Sequence, residues 1–134
     1  MTNEERARQQ YKDHRTKYPQ VYQWLVTYAR EAKNERGYDK WSVYACVEII
    51  RWIGMFNLEK DDQGYKINDH VSAYYSREIM MKNPDLYGFF ECRPATADTE
   101  PLGPNGETWL EFEARKMEEE LQKQAAVKAE FSNQ

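Results

Sequence analysis

Residues 18–93 hold three of the four Trp and nine of the ten Tyr of this 134-residue chain, in a little over half its length. Side chains of that kind each remove roughly 150–250 Å² from water when buried, so a segment this rich in them closes around a core. Its breaks are as informative as its rings. Tyr18-Pro19, Gly37, Asp61-Asp62-Gln63-Gly64, Asn68-Asp69, Asn83-Pro84 and Gly88 are turn and cap chemistry. They divide the segment into helix-length stretches and one pair of short alternating runs. The expected fold is mainly α: a compact helical core domain over 18–93 with one short β-hairpin.

The spacing of apolar residues sets the individual elements. Residues 3–16 are strongly polar, with Ala7 and Tyr11 one turn apart, and predict a short docking helix frayed at its start. Pro19 suits the first turn of the next helix, where a missing amide donor costs nothing. Val21, Trp24, Leu25, Tyr28, Ala29 and Ala32 give it a 3.6-residue stripe, and Gly37 ends it. Ser42 predicts an N-cap for a helix through about Ile53 that is apolar almost all round, the expected central buried helix. Its polar exceptions are Tyr44, Glu48 and Arg51.

Residues 56–59 and 65–67 alternate apolar and polar about the Asp-Asp-Gln-Gly turn and predict the hairpin. A further helix is expected over about 70–82, buried through Val71, Tyr74, Tyr75, Ile79 and Met81. Glu78 falls inside that buried arc and needs a partner, with Arg51 one candidate. Pro84 opens a short helix containing Leu86, Tyr87, Phe89 and Phe90.

Residues 94–107 carry three Pro and two Gly and read as a linker. Beyond it, 108–129 predicts a helix with a narrow stripe of Leu110, Ala114, Met117, Leu121 and Ala125, to be covered by its own domain, by a partner or by a second copy, with its own domain the commonest of the three outcomes. The organisation is thus an N-terminal helical extension (1–17), the core domain (18–93), the linker (94–107) and an acidic C-terminal helix and tail (108–134).

The formal charge of −4 is unevenly spread. Residues 14–93 hold 12 basic and 11 acidic side chains, whereas residues 94–134 hold four basic and nine acidic. A nearly neutral core argues against strong non-specific phosphate binding, which needs a basic surface, but leaves room for a local basic face. No apolar run approaches the ~18 residues of a membrane span. The opening Met1-Thr2-Asn3-Glu4-Glu5 lacks the basic-then-apolar order of a signal peptide, so a cytoplasmic location without a membrane partner is expected.

Catalytic equipment is not evident. The chain has no phosphate loop, dinucleotide fingerprint, nucleophile elbow or zincin motif. Cys46 and Cys92 are far apart and His14 and His70 are isolated, so no metal site, cofactor or small-molecule substrate is expected. Asp61 and Asp62 read as solvated turn formers.

Function is therefore sought on surfaces. The polar face of the second helix carries Gln23, Thr27, Arg30 and Asn34, and Gln, Arg and Asn supply the paired groups that base edges accept. Arg36, Lys40, Lys60 and Lys66 are candidate phosphate contacts, with Lys33 beside them. Tyr38 and Trp41 flank the Lys40 turn and are candidates to stack a base or anchor a partner. The order helix, helix, hairpin, helix is compatible with a winged-helix variant, which places a helix in the major groove and the hairpin on the backbone.

One resemblance adds to this. The order Tyr18-Pro19-Gln20-Val21-Tyr22, Arg51-Trp52, Tyr65-Lys66-Ile67-Asn68, Tyr75-Ser76-Arg77 and Pro84-Asp85-Leu86-Tyr87-Gly88-Phe89-Phe90-Glu91-Cys92-Arg93 resembles a group of small phage and prophage proteins. Their pattern runs approximately NPxVY…RW…FKINN…YAR…PxLxGFFExR. Tyr18 departs from it, and so does Asp69. The resemblance implies a phage origin, action in the cytoplasm of an infected or lysogenic bacterial host, and no catalytic residues. Two non-enzymatic expectations follow. The first is a DNA-binding, winged-helix-like regulator or accessory factor. The second is a protein-binding antagonist of a host defence complex, of the anti-restriction or anti-CRISPR type.

Overall fold

The computed structural model describes residues 2–38, 40–42, 45, 48 and 69–132. The hairpin expected over 56–67, with Lys60 and Lys66, lies outside the described residues. So does most of the helix expected over 42–53, with Tyr44 and Arg51. Among the described residues there are four α-helices and three 3-10 turns and no strand, so the fold is mainly α and winged-helix topology has no support there. The helices are α1 (Asn3–Lys17), α2 (Pro19–Asn34), α3 (Asp69–Lys82) and α4 (Trp109–Ser132).

Helix α1 starts firmly, not frayed. The Thr2 hydroxyl accepts from the Glu5 amide at 3.1 Å, and Glu4 and Glu5 sit in the first turn while Arg15 and Lys17 sit in the last. Both arrangements satisfy free helix-end groups and suit the helix dipole. Its buried side is Ala7 and Tyr11, as expected, extended by His14. A single residue, Tyr18, separates α1 from α2, which opens on Pro19. Helix α2 buries Val21, Leu25, Val26, Ala29 and Ala32, with Trp24 and Tyr28 half-buried. It ends where Gly37 takes φ +71°, letting the Tyr38 amide reach back to the Ala32 carbonyl at 3.0 Å. That left-handed backbone suits glycine.

Helix α3 is the centre of the described fold. It packs against α1, α2, α4 and the two turns that follow it. From Val71 to Met81 every side chain is buried except the half-buried Ala73. Tyr74, Tyr75, Ile79 and Met80 are each 1% exposed, and full burial of an Ile or Met is worth about 1.5–3 kcal/mol. Ser72, Ser76, Arg77 and Glu78 go inside with them. A helix that carries charge into the interior must supply partners for it.

For Glu78 the partner is Arg15, with N–O distances of 3.0–3.3 Å, together with the Tyr11 hydroxyl, which donates at 3.0 Å. Arg15 in turn lies over the Tyr22 ring, 4.2 Å from its centroid. Arg77 donates to Asp98 at 2.8 Å and also to the Arg93 carbonyl.

Residues 94–107 are not a free linker. A 3-10 turn at Thr96–Thr99 packs on α3, with Ala97 fully buried and Asp98 pinned by Arg77 and by the Ala95 amide. Glu100, itself buried, accepts two hydrogen bonds from Arg8 of α1, at 2.7 and 3.0 Å. The stretch is a strap tied by ion pairs to two helices. Its Pro and Gly residues shape the strap's turns.

The turn after α3 runs through Pro84–Leu86 and then Gly88, whose φ of +79° reverses the chain. Phe89 and Phe90 thereby enter the core. Trp41 joins them in an isolated parallel bridge with Phe90, its amide donating to the Phe89 carbonyl at 2.8 Å.

Candidate functional site

The face of α2 is exposed as its spacing predicts: Gln23, Thr27, Arg30 and Asn34 are all open to solvent. Its central cation is already committed. Arg30 donates to both carboxylate oxygens of Asp85, at 2.9 and 3.3 Å, and to the Asn83 side-chain oxygen at 2.9 Å. Lys33 donates to the Asp85 carbonyl. The Arg30 hydrogen bonds hold the Asp85 carboxyl below its usual range despite opposing desolvation. This part of α2 thus clamps the Asn83-Pro84-Asp85 turn, and Arg36 lies 3.8 Å from Glu31.

The remaining candidates separate. Tyr38 is 54% exposed and Lys40 is exposed beside it. Trp41 is half-buried, with its ring stacked 6.1 Å from Phe89. A tryptophan held in this way supports the core and offers less than an open ring face. Lys60 and Lys66 lie outside the described residues.

Two clefts open beside charged side chains. One, of 720 Å³, is lined in part by Lys40, Ser76, Arg77, Cys92, Trp109 and Glu113. Its Ser76 hydroxyl is already engaged, donating to the Ala73 carbonyl and accepting from Arg77. Burial pushes the Cys92 thiol up, which disfavours the nucleophilic thiolate. The other, of 820 Å³, runs along Arg8, Lys12 and Arg15 of α1, where Arg8 and Arg15 are paired with Glu100 and Glu78. Burial likewise pushes the Tyr11 and Tyr75 hydroxyls above the ordinary phenol range, which disfavours a phenolate at either. Among the described residues no group of three or more His, Cys, Asp or Glu is placed to hold a metal. No described helix is long and apolar enough to cross a membrane.

Among the described residues, α4 carries a long exposed stretch. Thr108 and Glu111 form a reciprocal capping box at its start, each donating its amide to the other's side chain at 3.2 Å. Trp109 and Phe112 then bury themselves, stacked on one another at 5.6 Å, with Tyr87 edge-on to Phe112 at 5.4 Å. The Tyr87 hydroxyl donates to Glu113 at 3.0 Å, and burial with that carboxylate pushes its pKa up to about 12. Lys116 lies over the Tyr87 and Phe112 rings. Docking ends there. From Glu120 to Phe131 every residue is exposed.

The predicted stripe on α4 exists, and it faces outward. Leu110 is 55% exposed, Met117 65% and Leu121 64%, and Ala114 and Ala125 are open too. Val127 and Phe131, also exposed, extend the apolar surface toward the helix end. Neither was marked by the stripe's spacing. Compared with protein-family models, curated proteins and solved structures, the chain matches none.

Proposed function

We propose that this chain is a non-catalytic binding protein whose target is another protein and whose principal contact is α4. The observation that carries this is the outward stripe of Leu110, Met117 and Leu121 on a helix that, among the described residues, docks only through its first turns. Large apolar side chains aligned on an exposed helix face are the chemistry of a helix-mediated protein contact. Together with the phage resemblance, this favours an antagonist that occupies a surface of a host defence complex. DNA binding has less support, because Arg30 is spent on Asp85 and residues 94–134 are acidic.

The test uses the purified chain and a Met117→Glu/Leu121→Glu variant as baits in a DNase-treated bacterial lysate. Both replaced side chains are exposed, so circular dichroism and melting temperature should match between the two baits. The wild-type chain should recover one protein stoichiometrically and the variant should not. Equal recovery by both baits would falsify the reading. So would duplex-DNA binding tighter than about 10 μM that weakens between roughly 50 and 150 mM salt.

A further inference from the structure

The proposed contact has a charge pattern that restricts what can cover it. Over three helical turns, about 17 Å from Leu110 to Leu121, the apolar stripe is bordered on both sides by glutamate. Glu111 and Glu118 fall on one border, and Glu113 and Glu120 on the other; Glu111 also accepts from the Thr108 amide and Glu113 from the Tyr87 hydroxyl, so the open carboxylates are Glu118 and Glu120, one on each side. Glu118 and Glu120 are exposed and have no ion pair among the described residues.

The cations of α4 do not offset this. Arg115 is held by Glu107 at 3.2 Å and Glu119 at 2.9 Å. Lys116 is turned to the docked side over Tyr87 and Phe112. At 100° per residue Lys123 falls opposite the stripe, and Lys128 lies beyond Leu121.

Resting on the reading of α4 as a protein contact, we infer that its occupant is a basic amphipathic helix: apolar residues on its inner seam, Lys or Arg on both shoulders. Residues bordering an apolar seam set partner choice through their charges. A second copy of this chain is disfavoured on the same ground. Pairing residues 110–121 with themselves sets glutamate against glutamate whether the helices run parallel or antiparallel.

The test is a labelled synthetic helix of about 18 residues, ~27 Å long, with leucines at seam positions and lysines on both shoulders, titrated against the full chain by fluorescence anisotropy. Two control peptides are used. One has the same composition scrambled to destroy the seam, and the other carries glutamate on the shoulders.

The Leu/Lys helix should bind with salt-sensitive affinity, and Leu121→Glu should abolish binding. Glu118→Lys/Glu120→Lys should weaken binding at least about tenfold while improving binding of the glutamate-shouldered helix. Equal binding of the scrambled peptide reduces the effect to bulk charge and overturns the inference. Equal binding of the glutamate-shouldered peptide to the wild-type chain also overturns it, as does a wild-type dimer that Leu121→Glu converts to monomer.

The two proposals fail separately. Lysate capture insensitive to Met117→Glu/Leu121→Glu removes both. Capture sensitive to that variant but unchanged by Glu118→Lys/Glu120→Lys removes only the basic helix.

Discussion

At the residue scale, the ion pairs of this protein divide by burial, and burial decides what each is worth. The side chains of Arg77 and Asp98 are 4% and 13% exposed, whereas those of Arg30 and Asp85 are 45% and 47% exposed. An exposed pair contributes at most about 1 kcal/mol after screening and side-chain entropy. Breaking a buried pair strands a charge, at a cost of roughly 3–5 kcal/mol. Asp98→Ala should therefore destabilise the protein by about that amount in urea titrations. Replacing both partners, as in Arg77→Met with Asp98→Leu, should recover most of the loss, because no buried charge remains. A double variant no more stable than Asp98→Ala would show that the strap needs the ion pair itself. Glu78 illustrates what a sequence reveals at this scale. Its place within an apolar arc announces a buried carboxylate in need of a partner. That Arg15 and Tyr11 supply it, from 63 and 67 residues away, is decided by how α1 lies on α3.

At the element scale, periodicity locates helices well and says less about which side of each docks. Helices α1 and α2 bury the faces their spacing indicates, because in each a single apolar stripe competes with polar surroundings, whereas α3 buries its expected Val71, Tyr74, Tyr75, Ile79 and Met81 together with nearly everything between them. Helix α4 has two candidate faces. The regular one is Leu110, Ala114, Met117 and Leu121; the irregular one is only Trp109 and Phe112. The second docks. Two aromatic rings bring large contact areas, and Tyr87 is positioned to meet them. Phe112→Ala should cost about 3–5 kcal/mol by thermal or chemical denaturation. Leu121→Ala should change stability by no more than about 0.5 kcal/mol, as an exposed position away from the core. The reverse order would mean that the stripe, not the aromatic pair, holds α4.

At the scale of the whole molecule, the described fold is α3 enclosed by α1, α2, the strap and the first turns of α4. The later part of α4 stands outside that enclosure. Removing residues 120–134 should leave stability within about 0.5 kcal/mol of the full chain, since no buried residue is lost between Glu120 and Phe131. Ending the chain at Arg93 removes the partners of Arg77 and Arg8 and the rings of Trp109 and Phe112, and should prevent cooperative unfolding. A calorimetric scan of the two truncations distinguishes them. A stable, cooperative 1–93 fragment would restore the linker reading of 94–107.

Sequence alone was enough to determine a mainly helical chain, the breaks at Pro19, Gly37 and Pro84, and the stripes of α1, α2 and α3. It also determined that α4 carries an aligned apolar row. These are local properties, set by 3.6-residue periodicity and by the backbone preferences of proline and glycine. Tertiary structure alone decided that the α2 face spends Arg30 on Asp85, that 94–107 is a strap, and that the α4 row looks outward. Each of these depends on a partner at least 21 residues away or on two faces competing for one core, and neither relation is written in the spacing of a single helix.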